Sequence, residues 1–92
     1  MTTTIKIWDC GCGVEISVER GVMQVVSSGG CPVEQILGRV RLFADRERTA
    51  KAVLRKWMRG YDGGRRAAVE NSLYVEVYVE VADENGSGRV YA

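Results

Sequence analysis

Residues 32–59 read PVEQILGRVRLFADRERTAKAVLRKWMR, and this stretch decides the fold class. Val33, Ile36, Leu37, Val40, Phe43 and Ala44 recur at the three-and-four spacing of one helical face, and Ala50, Val53, Leu54, Trp57, Met58 and Tyr61 repeat it further on. Pro32 suits a first helical turn, where its missing N–H costs nothing, Glu34 complements the positive end of the helix dipole, and Gly60 suits a stop. Between the two apolar sets, Asp45 has the chemistry of a helix cap and Glu47 interrupts the stripe. The spacing therefore predicts a long amphipathic helix over 32–59, bent near Asp45 or divided there into two.

The flanks read as strands. Upstream, Ile5 and Ile7 alternate with Thr4, Lys6 and Trp8, the period of a half-buried strand. The apolar positions switch from odd to even across Cys10-Gly11-Cys12-Gly13, so a turn or bulge is expected there, followed by a second strand carrying Val14, Ile16 and Val18. Glu19-Arg20-Gly21 predicts a type I turn with Gly21 at positive φ, and Val22 to Ser27 a third strand whose register the pattern leaves open. Downstream, Tyr61-Asp62-Gly63-Gly64 reads as a loop and Arg65 to Asn71 as a short helical turn. From Leu73 to Val81 valines alternate with Tyr74, Glu76, Tyr78 and Glu80. Asn85-Gly86 then predicts a hairpin pairing Val81 with Val90 and Glu80 with Tyr91. The expected architecture is α+β, in the order β-β-β-α(-α)-β-β, one domain spanning 1–92 with the helical segment on one face of an antiparallel sheet.

Composition narrows the function. At 46% hydrophobic and 27% charged the chain reads as an ordinary globular protein with room for one modest core. It has no apolar run of membrane-spanning length and no secretory leader pattern, so a cytoplasmic protein without a membrane partner is expected. There is no histidine, which removes the usual general base for a serine or cysteine nucleophile. Glu76 and Glu80 share a predicted strand face but are not oriented toward any nucleophile, so no enzyme and no cofactor is expected.

Three cysteines leave metal and thiol chemistry open. Cys10, Cys12 and Cys31 all fall at predicted turns at one end of the sheet, where they could hold zinc with Asp9 or a partner's side chain as a fourth ligand. The paired CxxC spacing of zinc ribbons is missing, however, and in a reducing compartment such cysteines are commonly small core residues. Cys31 before the predicted helix also fits a redox thiol, and Ser28-Gly29-Gly30-Cys31-Pro32 has the chemistry of a small anion cradle as well as of a plain turn.

Charge is the stronger signal. Between Arg39 and Arg66 there are ten basic residues against three acids, a balance of +7, while the rest of the chain carries −6, so a net charge of +1 conceals a polarised molecule. Arg41, Arg48 and Arg55 recur every seven residues, and Lys51, Arg55 and Arg59 every four, which predicts a basic stripe opposite Val53, Leu54 and Trp57. Arginine's planar fork suits carboxylates and phosphates, so the stripe is expected to meet an acidic protein surface or a protein–nucleic-acid complex, or DNA or RNA directly. Tyr74, Glu76, Tyr78, Glu80 and Tyr91 are expected on the outer sheet face, where carboxylates between the rings favour a protein or a second copy of the chain over nucleic acid. A compact binder of this kind fits the role of small inhibitors from mobile elements, anti-CRISPR proteins included, which act by occupying a surface.

Overall fold

Period-two patterning at both ends of the chain is met by two sets of strands that join across the helical segment. A computed structural model describes residues 2–9, 12–60 and 63–92, with the backbone alone for Cys12. Strands β1 (Thr2–Asp9), β2 (Cys12–Glu19) and β3 (Val22–Ser27) precede helices α1 (Val33–Leu37), α2 (Arg46–Arg59) and α3 (Gly64–Asn71), and β4 (Tyr78–Asp83) and β5 (Gly86–Tyr91) close the fold. The five strands form one sheet in the order β3-β2-β1-β4-β5, antiparallel throughout. This is the expected α+β arrangement with helices on one sheet face. The central pair, β1 with β4, is the only one that local turns do not impose.

The core lies where the alternation placed it. Ile5, Ile7, Val14, Ile16, Val18, Val79 and Val81 face inward and meet Ala50, Val53, Leu54 and Trp57 of α2. Asp45 caps α2, its Oδ1 accepting the Glu47 N–H at 3.0 Å. The N-terminal end of α2 approaches β5 at a glycine: a Cβ on Gly88 would stand 3.2 Å from Arg46 Cβ and from Glu47 N. Arg46 ties the same end to the hairpin through an ion pair with Asp83 at 3.1 Å.

The helical segment differs from the long helix predicted over 32–59. α1 lasts five residues and ends at Gly38 (φ 56°, ψ −121°), whose N–H donates back to Glu34 O. Residues 38–45 are not helical. Val40 and Phe43, which read as helical stripe, lie instead on a non-helical segment, where Val40 is buried, Phe43 half-buried and Ala44 exposed. Tyr61, assigned to the same stripe, lies outside the described residues, as do Asp62 of the expected loop and Cys10 and Gly11 of the first turn.

At the other end of α2, Gly60 lets α1 cross closely. A Cβ there would stand 2.5 Å from Ile36 Cγ2, although the backbone (φ −79°) accepts any residue. Gly60→Ala must push α1 away and is expected to cost more than about 1 kcal/mol, as overpacking does. Urea unfolding of the two proteins, at unchanged m-value, measures it.

Three turns also depart from expectation. Arg20 and Gly21 both have positive φ (52° and 76°), so the β2–β3 turn is of the primed type and not type I; primed turns match the twist of the flanking strands. β3 carries a register shift beside Glu15 and Ile16, with Val25 opposite Ile16 and Ser27 opposite Glu15; Met23 and Val25 pack on the core, whereas Val22 and Val26, on the other parity, are exposed. The last hairpin turns on Glu84-Asn85, pairing Val79 with Val90 and Tyr78 with Tyr91, two residues away from the predicted register. Asp83 is the cause: its Oδ1 accepts the Asn85 N–H at 2.8 Å, an Asx turn that starts the reversal early. The strand predicted from Leu73 begins only at Tyr78. Residues 72–75 instead continue the winding of α3, with Ser72 N donating to Ala68 O and Val75 N to Asn71 O, because β1 offers ladder partners only from Tyr78 onward.

Candidate binding surface

The segment after α1 is pinned along α2 at two places, and that pinning builds the site. At one end Lys56 Nζ donates to the carbonyls of Leu37 (3.2 Å) and Arg39 (2.5 Å). At the other, buried Thr49 accepts the Phe43 N–H on Oγ1 at 2.9 Å, and its hydroxyl lies 3.3 Å from Phe43 O and 3.2 Å from Asp45 O. Lys56 and Thr49 are seven residues apart, two turns of one helical face. Between these anchors Val40 is buried and Phe43 half-buried, so the intervening Arg41 is held at the surface.

Arg41 is therefore not part of a helical heptad with Arg48 and Arg55, yet it reaches the same surface. The Arg48 guanidinium carbon stands 4.3 Å and that of Arg41 5.1 Å from the Phe43 ring centroid. Cation–π attraction holds two like charges on one ring. Beside them, Val40, Arg41, Phe43, Ala52, Val53, Arg55, Lys56 and Arg59 line an open groove of about 280 Å³. Lys56 and Arg59 also wall a second depression that reaches Ile36 and Arg39. Lys51 is exposed on α2 but does not line the groove. Phe43 was read only as core from the sequence; its role as the seat of two arginines depends on the non-helical path of 38–45.

Among the described residues, Arg41, Arg48, Lys51, Arg55 and Arg59 form no ion pair. The ion pairs that do form, Arg46 with Asp83, Arg66 with Glu70 and Arg89 with Glu80, lie elsewhere.

The tyrosine set is divided. Tyr74 sits in the turn after α3 and is 87% exposed, and Glu76 lies in the connection before β4, so neither belongs to the sheet face. Tyr78, Glu80 and Tyr91 do. Arg89 donates from Nε and Nη2 to Glu80 Oε2 and from Nη1 to Tyr91 Oη, and its guanidinium stands 4.2 Å from the Tyr78 ring centroid. The hydrogen bonds to Tyr91 and then to Glu80 hold the Arg89 proton more tightly than in a free arginine. Trp8 joins the group, because β1–β4 pairing sets it beside Tyr78. It was absent from the residues singled out by sequence, since nothing local indicates which strand β1 will meet.

Cys31 is half-buried and packs against the core. Cys10 and the side chain of Cys12 lie outside the described residues, and among the described residues no three His, Cys, Asp or Glu side chains are grouped to hold a metal ion. In the Ser28–Pro32 turn the Cys31 N–H donates to Ser28 O, and Glu34 borders the adjacent depression. Among the described residues no helix is long and apolar enough to cross a membrane. Comparison of the chain with family models, curated proteins and solved structures found no match, so the surfaces themselves carry the functional argument.

Proposed function

We propose that this chain is a non-enzymatic binding protein that receives an acidic protein surface in the groove between residues 38–45 and α2. The observation that carries this reading is the cluster of arginines without carboxylate partners, two of them held on one phenylalanine. Unpaired guanidiniums in fixed positions are prepared to take a partner's carboxylates. The groove floor of Val40, Phe43, Ala52 and Val53 adds apolar area, and arginine with aromatic and aliphatic residues is the composition of interface centres.

Nucleic acid is the second reading, favoured by the same unpaired cations. Against it, the guanidiniums of Arg41 and Arg48 already occupy the Phe43 ring, which is then not open to stack a base. A chain this small that masks an acidic face of a nucleic-acid-handling complex would inhibit it by occupation, as anti-CRISPR proteins do; that finer reading rests on size and charge layout.

Fluorescence anisotropy with a labelled acidic amphipathic peptide, and with short DNA and RNA, at about 50 and about 150 mM salt separates the two partner classes. The peptide is expected to stay bound at the higher salt, with affinity falling at least about tenfold in Arg48→Glu/Arg55→Glu. Tighter binding of DNA or RNA than of peptide at the higher salt would establish the second reading instead. Peptide binding indifferent to the double substitution would remove the groove from the function.

A further inference from the structure

The sheet face opposite the helices carries a pattern that is complementary to itself. Cross-strand register sets Glu15, Lys6, Glu80 and Arg89 in one row across β2, β1, β4 and β5, so the charges run minus, plus, minus, plus. The neighbouring row is Gly13, Trp8, Tyr78 and Tyr91, with Trp8 39% and Tyr91 52% exposed. Cross-strand pairing within one sheet would by itself select the alternating charges. It does not call for three aromatic rings beside them on a face that no helix covers.

We propose that this face is the contact for a second copy of the chain, stacked sheet on sheet about a two-fold axis that runs along the strands between β1 and β4. Rotation about that axis exchanges β1 with β4 and β2 with β5 while keeping each row opposite itself. Lys6 then meets Glu80 of the second copy, and Glu15 meets Arg89. In the adjoining row the Trp8 indole leans over Gly13, its ring carbons 3.5 and 3.6 Å from where a Cβ there would stand, so it meets Tyr91 as well as Tyr78 of the second copy. A charge row that is antisymmetric about its centre matches acid to base under this rotation, which is what an isologous interface requires. The twist of each sheet sets the stacked strands about 30° apart, so the contacts nearest the axis, Lys6 with Glu80 and Trp8 with Tyr78, dominate.

Size fixes the strength. Four strands about 4.8 Å apart and some six residues long at about 3.3 Å each give a footprint of roughly 19 by 20 Å. With side-chain relief on both copies the total burial is of the order of 1,000 Å², near the lower bound for a specific interface, and a reversible dimer in the micromolar range is expected. In such a dimer both arginine grooves lie on the outside, on the helix layers, so one dimer would present two sites and bind a repeated partner with avidity. The dimer itself does not depend on what the groove binds.

Sedimentation velocity of the purified chain from about 1 to about 200 µM tests this without any partner. Self-association to a dimer is expected, weakened about tenfold by Lys6→Glu, which sets like charges across the interface twice. Lys6→Glu/Glu80→Lys is the deciding variant. Within one chain it leaves Glu15 beside a glutamate and Arg89 beside a lysine, yet across the two-fold every acid again meets a base, so the dimer is expected to return to within about threefold of the unaltered protein. Circular dichroism confirms that each variant is folded, and Trp8→Ala, which leaves the charges alone, is expected to weaken the dimer as well. A monomer throughout the range, or a dimer that Lys6→Glu leaves unchanged, would overturn the proposal.

Discussion

Trp57→Ala is expected to remove most of the stability of this fold. Trp57 is 3% exposed and lies on the inner face of α2. Truncating a buried tryptophan costs about 3–5 kcal/mol in lost transfer energy and cavity. A second cost is specific to this site. Trp57 Nε1 donates to Asp9 Oδ2 at 2.9 Å, Asp9 is 7% exposed, and among the described residues its Oδ1 has no hydrogen-bond partner. Without the indole the carboxyl group is buried with neither oxygen satisfied, which adds about 1–3 kcal/mol. Set against the roughly 5–14 kcal/mol that a chain of this length typically has in total, the combined loss leaves little.

Trp57→Phe isolates the polar part of that cost. It keeps a large ring but deletes the donor, and the expected loss is about 1.5–3 kcal/mol, the worth of a hydrogen bond to a charged group. Adding Asp9→Asn to Trp57→Phe should recover part of it, because a carboxamide is less costly to leave buried than a carboxylate. Urea unfolding of the two single variants and the double variant closes the cycle. A Trp57→Phe protein as stable as the parent would show that the Asp9 contact contributes nothing.

The Asp9–Trp57 contact also marks where sequence reading stopped. Periodicity places Trp57 on the stripe of α2, whereas the alternation of the first strand reads only to Trp8 and Asp9 enters only as a possible zinc ligand; the structure carries β1 on to Asp9. Periodicity could not pair a strand end with a helix 48 residues away. Strand existence, the order of elements and the inner face of α2 were legible because each rests on local periods of 2 or 3.6 residues. The path of residues 38–45 was not. Val40 and Phe43 satisfy a helical spacing, yet they lie on a non-helical path that begins at Gly38 and ends at the Asp45 cap. The β1–β4 pairing, which assembles Trp8, Tyr78 and Tyr91 into one row, is likewise a long-range event without a local signature. The arginines were visible as a charge imbalance, but their lack of ion pairs is a property of the folded surface alone.

Thr49→Val is expected to separate the groove from the fold that carries it. Valine has nearly the shape of threonine, so packing at this fully buried position is kept while the hydroxyl is lost. The Phe43 N–H then loses its acceptor, and the carbonyls of Phe43 and Asp45 lose the one hydroxyl proton they share, although Asp45 O keeps the residue-49 N–H at 3.1 Å. These groups are only part-buried, so the expected loss is about 1–2 kcal/mol, at the low end of the cost of an unmatched polar group. Loosening one end of the segment while Lys56 still holds the other should free Phe43, and with it the fixed placement of Arg41 against Arg48. Affinity for the acidic peptide is therefore expected to fall about tenfold with net charge unchanged, because preorganisation and not charge has been removed. Thr49→Ser restores the hydroxyl and should recover binding even though it leaves a small cavity. If valine and serine bind the peptide equally well, the hydroxyl does not organise the groove, and the arginines act only as a diffuse cationic field.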